Sequence, residues 1–389
     1  MKIVIISHNY PSIYRPHYGA FVYNFAQELS KYHEVKIIAP LRINDLFKKK
    51  KDTYGPENCT VYRPLYFPGF SAKIFGFDVG KILSESRHQS IERCFKKNVK
   101  EVNLIYSHFL INGISIYKLA KEKNIPMIIA SGESGDAYKA IEKQRKDILH
   151  GMLSYVKNII CVSEVNYEYL RGLGYSSSKI EIIPNAVDYQ RFVPMNNKEC
   201  KEKLKISEGM FVVGFIGHFI ERKGPNRVIK AIQSLNSEDI ALICIGGNGK
   251  LIEASFVKEM APMGNIKLPS IINSFDVFVL PTLSEGHCNV IEEVKACGVP
   301  IISSLGTTVE NQIDNKTGIL VDPLNIEAIA NAIRELKSDI VKRQKFRKNL
   351  LELRGSNSLE KRVERINILI ENSVNEESDN KKERTRKTI

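Results

Sequence analysis

Between residues 275 and 304 the chain reads as an apolar run, a polar turn, an amphipathic stretch and a second apolar run. The first run is Phe275-Asp276-Val277-Phe278-Val279-Leu280-Pro281 and the last is Val299-Pro300-Ile301-Ile302-Ser303-Ser304. Strand, loop, helix, strand in that order is the alternation of a parallel α/β sheet. Such sheets take ligands at the carboxyl ends of their strands, where a helix begins. The turn holds Glu285-Gly286-His287-Cys288-Asn289-Val290-Ile291-Glu292-Glu293. Backbone N–H groups of Cys288, Asn289 and Val290 would face outward there, partly positive and suited to a phosphate. Carboxylates at Glu285 and Glu293 suit a ligand that also carries hydroxyls, a sugar and a ribose.

The same alternation runs through the rest of the chain. Strands are expected at residues 2–7, 35–39, 60–63, 102–107, 127–130, 158–162 and 179–183, separated by helical stretches. One of these, 21–31, carries Val22, Phe25, Ala26 and Leu29 at helical spacing. The pattern restarts at 211–217 and continues at 240–246, 277–280 and 301–303, with a short spacing after Gly246-Gly247-Asn248-Gly249. At 389 residues the chain exceeds what one core normally serves, so two doubly wound domains are expected, joined near 193–207. A 43% hydrophobic and 26% charged composition is that of a globular chain. The apolar run at residues 3–6 is too short for a signal peptide, and none is long enough to span a bilayer. Seven cysteines without a C-x-x-C pair point away from disulfides and zinc, so a cytoplasmic setting is expected. No Gly-x-Gly-x-x-Gly follows Ser7, which argues against a nicotinamide dehydrogenase.

Four landmarks then carry a family resemblance. Glu285, seven residues, Glu293, after Pro281-Thr282-Leu283-Ser284 and before Ala296-Cys297-Gly298-Val299-Pro300, resembles the signature of retaining glycosyltransferases of family 4. Ile182-Ile183-Pro184-Asn185-Ala186-Val187-Asp188 with Phe192 looks like that family's interdomain motif, with Ala186 in place of glycine. Gly217-His218-Phe219-Ile220-Glu221-Arg222-Lys223-Gly224 looks like its phosphate-binding segment, and Thr317-Gly318-Ile319-Leu320-Val321-Asp322-Pro323 matches a further landmark.

The resemblance implies the GT-B fold, an α/β architecture of two Rossmann-like doubly wound domains facing across a cleft. It assigns acceptor binding to 1–190 and nucleotide-sugar binding to 191–354. A helix at about 355–372 would pack back on the first domain, and 373–389 would be a disordered charged tail. The implied reaction moves a hexosyl unit from a nucleotide diphosphate sugar to an acceptor hydroxyl. The acceptor attacks on the face from which the diphosphate leaves, and the setting is bacterial surface polysaccharide or glycolipid synthesis.

Carried onto this chain, Glu285 would accept hydrogen bonds from the donor sugar. Gly286, His287, Cys288, Asn289 and Val290 would form the diphosphate loop, and Glu293 would hold the ribose. Glu292 points about 100° away around the helix axis. Lys223, before Gly224 and Pro225 at a helix start, would stabilise the leaving diphosphate. Beside Gly217, His218 stands where relatives carry arginine, and a mostly neutral imidazole lacks that fork, so either Arg222 compensates or the diphosphate is held more by backbone and Lys223. Gly19 matches a glycine near the donor phosphate, followed here by Ala20. His108 is a candidate for the cleft or for the core. Ser131-Gly132-Glu133-Ser134-Gly135-Asp136 lacks the histidine that many relatives place beside the reacting sugar. Glu133 stands close to its place, as a polar contact, an acceptor-pocket residue or a plain loop residue.

A formal charge of +13 is concentrated at 48–51, 342–348 and 381–387. These blocks are solvated surface or attract anionic lipid headgroups, each basic residue contributing roughly 1 kcal/mol near a membrane. They lack the interleaved aromatics of a nucleic-acid surface. The expected partners are a nucleotide-sugar donor and a glycan or lipid-linked glycan acceptor. With no D-x-D motif in the chain, neither cofactor nor metal is expected. A sugar-nucleotide epimerase of the same architecture and a non-catalytic sugar-nucleotide binding subunit are the alternatives.

Overall fold

The computed structural model describes residues 1–48, 54–67, 73–74, 77–133 and 135–388, so most of the first basic block and Ser134 lie outside it. The chain divides into two compact units, Met1–Pro184 with Glu360–Ile389, and Asn185–Leu359.

The first unit is built on β1 (Lys2–Ile6), α1 (Ala20–Leu29), β2 (Glu34–Ile38), β3 (Cys59–Tyr62), α2 (Val79–Asn98), β4 (Leu104–His108), α3 (Leu110–Glu122), β5 (Met127–Ser131), α4 (Gly135–Tyr155), β6 (Asn158–Cys161), α5 (Glu164–Gly172) and β7 (Ile180–Ile182). Ile3, Val4, Ile5 and Ile6 of β1 are all buried, the mark of a strand covered on both faces. The sheet order is β7-β6-β5-β4-β1-β2-β3, every pair parallel. Ile3 of β1 pairs with Val35 on one side and with Leu104 on the other. Strand order therefore reverses between β1 and β4, where such sheets take ligands.

The second unit contains α6 (Asn197–Lys203), β8 (Phe211–His218), α7 (Pro225–Ser234), β9 (Ile240–Gly247), β10 (Val257–Met260), α8 (Leu268–Ile272), β11 (Val277–Leu280), α9 (Asn289–Ala296), β12 (Ile301–Ser304), β13 (Gly318–Val321), α10 (Ile326–Ser338) and α11 (Ile340–Glu352). Its sheet, β10-β9-β8-β11-β12-β13, is also parallel, and the order reverses between β8 and β11. Val228, Ile229 and Ile232 of α7 and Ile329, Ile333 and Leu336 of α10 belong to the core that covers it. β9 reaches β10 through a loop with no helix, so the short spacing after Gly249 is accommodated at the sheet edge.

Unit boundaries differ from those read in the sequence. The first falls at Pro184, not 190, and the stretch near 193–207 is no linker. α6 is fastened within the second unit by Met195 N–H to Asn273 Oδ1 at 2.7 Å and by Lys201 to Asp276 at 2.6 Å. A single helix, α12 (Leu359–Thr388), belongs to the first unit from Glu360 onward and runs on through the tail expected to be disordered. Val363, Ile366 and Ile370 are buried along it. Arg362 Nε donates to Pro184 O at 2.8 Å, Asn158 Nδ2 to Ser373 Oγ at 3.2 Å, and Lys157 pairs with Glu377 at 3.0 Å. An apolar stripe and two polar contacts past residue 372 explain why the helix does not stop there.

Candidate active site

In the second unit the site forms where β8 and β11 part. β8 ends at Gly217-His218, and the turn that follows places Arg222 and Lys223 immediately before α7. Leu283 N–H donates to Arg222 O at 2.8 Å, tying this turn to the loop after β11. Three donors converge on one oxygen of Glu285. Lys223 Nζ lies 2.5 Å from Oε1, Arg222 Nη1 3.1 Å and Thr282 Oγ1 2.9 Å. Oε2 accepts nothing from the described residues, and the Glu285 carbonyl is held by Thr308 Oγ1. Two cations against one carboxylate leave the cluster net positive, which attracts a polyanionic ligand.

Arg222 and His218 differ in their partners. Arg222 also donates to Ser284 O, while His218 is exposed with Nδ1 2.9 Å from Asn248 Nδ2. Partial burial, then the charges of Lys223 and Arg222, hold the His218 ring below its usual pKa. Both effects favour the neutral ring.

The α9 loop corrects one expectation. Cys288 N–H is not open to a phosphate, because it donates to Gln312 Oε1 at 2.9 Å while Gln312 Nε2 donates back to Cys288 O at 3.1 Å. Gln312 also donates to Glu292 Oε1 at 2.9 Å, and Lys295 pairs with the same oxygen at 3.3 Å. His287 lies 4.0 Å from Glu292. Glu292 is thus a buried bracket for its own loop. Val290 and Glu293 are half-buried, as is Asn289, whose Oδ1 is enclosed without a partner among the described residues. Glu293 accepts from Asn265 Nδ2 at 3.4 Å; burial pushes its carboxyl up to about 8, against the pull of Arg191. Thr282, Thr308 and Gln312 were not singled out from the sequence. Thr282 stands in the lead-in to Glu285, but nothing at 308–312 signals that it folds onto that loop.

In the first unit a cavity of about 480 Å³ opens at the switch point. His8 and Asn9 follow β1, Phe109 and Ile111 follow β4, Gly132 and Glu133 follow β5, and Arg87, Ala137, Ala140 and Ile141 come from α2 and α4. Glu133 is 7% exposed and bonded on both oxygens. Oε1 accepts from Leu110 N–H at 2.5 Å, and Oε2 from Ser131 Oγ at 2.8 Å and Gly132 N–H at 3.0 Å. Burial raises its pKa in spite of these donors. Behind it, Ser131 Oγ meets Tyr138 Oη at 2.6 Å, and Asn166 Nδ2 donates to Tyr138 Oη at 2.7 Å and to Glu133 O at 2.9 Å. His8 Nδ1 lies 3.1 Å from Asn112 Oδ1, and burial with the nearby Arg87 charge pushes the ring down to about 4.

His108 and Gly19 serve this unit differently. His108 is 3% exposed, ringed by Phe21, Phe25 and Tyr106 at 5.9, 5.4 and 5.1 Å, with Nε2 unbonded among the described residues. The structure sets it in an aromatic surround and not among the cavity-lining residues. Gly19 has φ 70°, and a Cβ there would fall 2.2 Å from Asn9 O, so it permits the close packing that holds Asn9 at the cavity.

Comparison with known proteins bears on the family and the fold. Residues 19–191 match the model of Glycosyltransferase Family 4, and residues 196–352 that of Glycosyl transferases group 1. A glycosyltransferase assigned to teichuronic acid biosynthesis in Bacillus subtilis is 24% identical over 90% of this chain and 93% of its own. The UDP-Gal:alpha-D-GlcNAc-diphosphoundecaprenol alpha-1,3-galactosyltransferase of Escherichia coli is 25% identical over 65% of this chain and 70% of its own. Sucrose-phosphate synthase from Thermosynechococcus elongatus superposes with a TM-score of 0.78 at 19% identity, covering 96% of this chain and 98% of that one. With both halves matched and both sheets in doubly wound order, the chain belongs to the family 4-like glycosyltransferases of the GT-B fold.

Proposed function

We propose that this transferase moves a hexosyl unit, with retention, from a nucleotide diphosphate sugar to a hydroxyl of a glycan built on a lipid-linked diphosphate. The observation that carries the reading is the Lys223–Arg222–Glu285 cluster at the β8/β11 switch point. Its excess positive charge suits a leaving diphosphate, and stabilising that charge lowers the barrier to bond cleavage. The unoccupied Oε2 of Glu285 suits a sugar hydroxyl, and half-buried Glu293 a ribose. On this reading the diphosphate is met by the net positive charge of this cluster and by loop N–H groups, without a metal. The acceptor class is suggested by the Escherichia coli relative, whose name specifies a diphosphoundecaprenol-linked sugar. Among the described residues no helix is long and apolar enough to cross a membrane, so contact with a lipid-linked acceptor would be peripheral.

The test is a screen of UDP-, GDP- and ADP-hexoses, following nucleotide diphosphate release and thermal shift. One donor should be consumed, at a rate that EDTA leaves within about twofold. Glu285→Ala and Lys223→Ala should each lower kcat/KM by about a hundredfold or more, as expected when transition-state contacts are lost. Stabilisation by a donor without turnover in the presence of lipid-linked acceptors would instead favour a binding subunit. Interconversion of the sugar without transfer would favour an epimerase.

A further inference from the structure

Phe109 combines three features that its packing alone does not require. It is a bulky residue at φ 72° and ψ 147°, a conformation that side chains other than glycine rarely adopt. It is held there from both sides: its own N–H donates to Ala130 O at 2.7 Å, and the next N–H, Leu110, donates to the Glu133 carboxylate at 2.5 Å. Its ring is half-buried and lines the cavity, edge-on to Phe21 at 6.3 Å and 6.2 Å from His8. A ring wanted only for core packing is reached from ordinary backbone. A strained residue fastened by a buried carboxylate, itself expensive to bury, indicates that the ring's position matters.

We propose that Phe109 is the platform on which a pyranose ring of the acceptor stacks, and that Glu133 is its positioning residue. The proposal rests on the transferase reading above. The C–H face of a pyranose is weakly positive and lies flat on the negative face of an aromatic ring. Around Phe109, His8, Asn9 and Arg87 offer polar contacts to ring hydroxyls, and Ile111, Ala137 and Ile141 offer an apolar wall. Mixed lining of this kind, apolar with a few directed polar groups, fits a sugar ring. Glu133 has both oxygens committed to Leu110, Ser131 and Gly132, so it acts through the backbone of Phe109.

The experiment uses full-length protein, the donor found by the screen, and p-nitrophenyl hexopyranosides as acceptors. Phe109→Gly removes the ring while suiting the backbone, because glycine adopts positive φ freely. It should raise acceptor KM about tenfold or more, leave donor KM and acceptor-free donor hydrolysis within about twofold, and not lower the Tm. Phe109→Tyr should return acceptor KM to within about threefold of wild type, since the ring face is kept. Glu133→Ala should raise acceptor KM in the same direction, and adding it to Phe109→Gly should change KM no further, the sign of two residues acting as one unit. An unchanged acceptor KM in Phe109→Gly would overturn the proposal, as would donor hydrolysis falling in parallel. Refusal of every pyranoside by an enzyme that hydrolyses the donor would overturn it as well. A wild type that hydrolyses no donor would overturn both this proposal and the transferase reading.

Discussion

A histidine moved from water into an aromatic surround loses the hydration of its cationic form, and His108 meets that condition among Phe21, Phe25 and Tyr106. Burial, aided by the charge of Arg362, pushes its pKa down to about 3. The sign of the consequence follows. Below about pH 6.5 the unfolded chain takes up a proton that the folded chain refuses, so stability falls as pH drops from there toward 3. His108→Leu removes both this linkage and the unbonded Nε2. We expect the Tm of the wild type to fall more steeply between pH 7 and 4 than that of the variant, by several degrees, given that about 1 kcal/mol moves a protein of this size by roughly 2–4 °C. Transfer at pH 7.5 should stay within about threefold, as for a packing residue outside the reaction. Equal slopes in the two melting series would contradict the buried neutral imidazole, and abolished transfer would return His108 to the reaction. Glu293 works with the opposite sign. Its raised carboxyl pKa means that stability is present below the ordinary glutamate range and is lost as pH rises toward 8.

At the scale of elements, the ends of strands set the site. β8 and β9 run in register with Gly217 beside Gly246, and a Cβ at Gly246 would fall 1.8 Å from Gly217 O. No rotamer change relieves contact with a backbone oxygen, so the Gly217-His218 segment would have to move, carrying the turn that holds Lys223. Gly246→Ala should therefore cost about 1–3 kcal/mol of stability, the range for overpacking a filled site. It should also weaken nucleotide diphosphate binding several-fold, measurable by titration with the diphosphate of the preferred donor. Full affinity together with a wild-type Tm would show that the two strands separate more easily than this geometry implies. The α9 loop is braced in the same spirit, but by Gln312 from far along the chain, and the cavity wall by Glu133 at the start of α3.

For the whole molecule, the chain passes between its two units twice, at Pro184–Asn185 and Leu359–Glu360. The second passage returns α12 to the first unit, where Arg362, Val363, Ile366, Ile370 and Ser373 are buried. A chain ending at residue 358 would strip that stripe and leave its partners wet. A chain ending at 378 keeps every contact through Glu377. The longer truncation product should melt within about 2 °C of full length and keep its activity, whereas the shorter should lose cooperative unfolding or aggregate, because burying such apolar side chains contributes about 1.5–3 kcal/mol each. Equal stability of the two would mean that α12 contributes little to the first unit. The charge of the molecule also reads differently once folded. In the basic block on α11, Lys342 pairs with Glu335, Arg343 donates to Leu336 O and Lys337 O, and Arg347 to Gly298 O, so part of that charge is spent on the unit's own packing.

What the sequence determined by itself was the doubly wound architecture and the placing of Lys223 and Glu285 together at strand ends of the second unit. Short apolar runs separated by amphipathic stretches suit a parallel sheet covered by helices on both faces, and Lys223 and Glu285 stand at the strand ends where such sheets open. These are local properties, written within a few residues of where they act. Tertiary structure alone decided the rest, because it depends on residues distant in the chain meeting. It closed the Cys288 N–H with Gln312, turned Glu133 inward beneath Leu110, and enclosed His108 in rings from α1. It also drew α12 through the tail by contacts at Asn158 and Lys157. Burial sets the charge and the available lone pairs of each such group, and no window of sequence contains the surfaces that bury it.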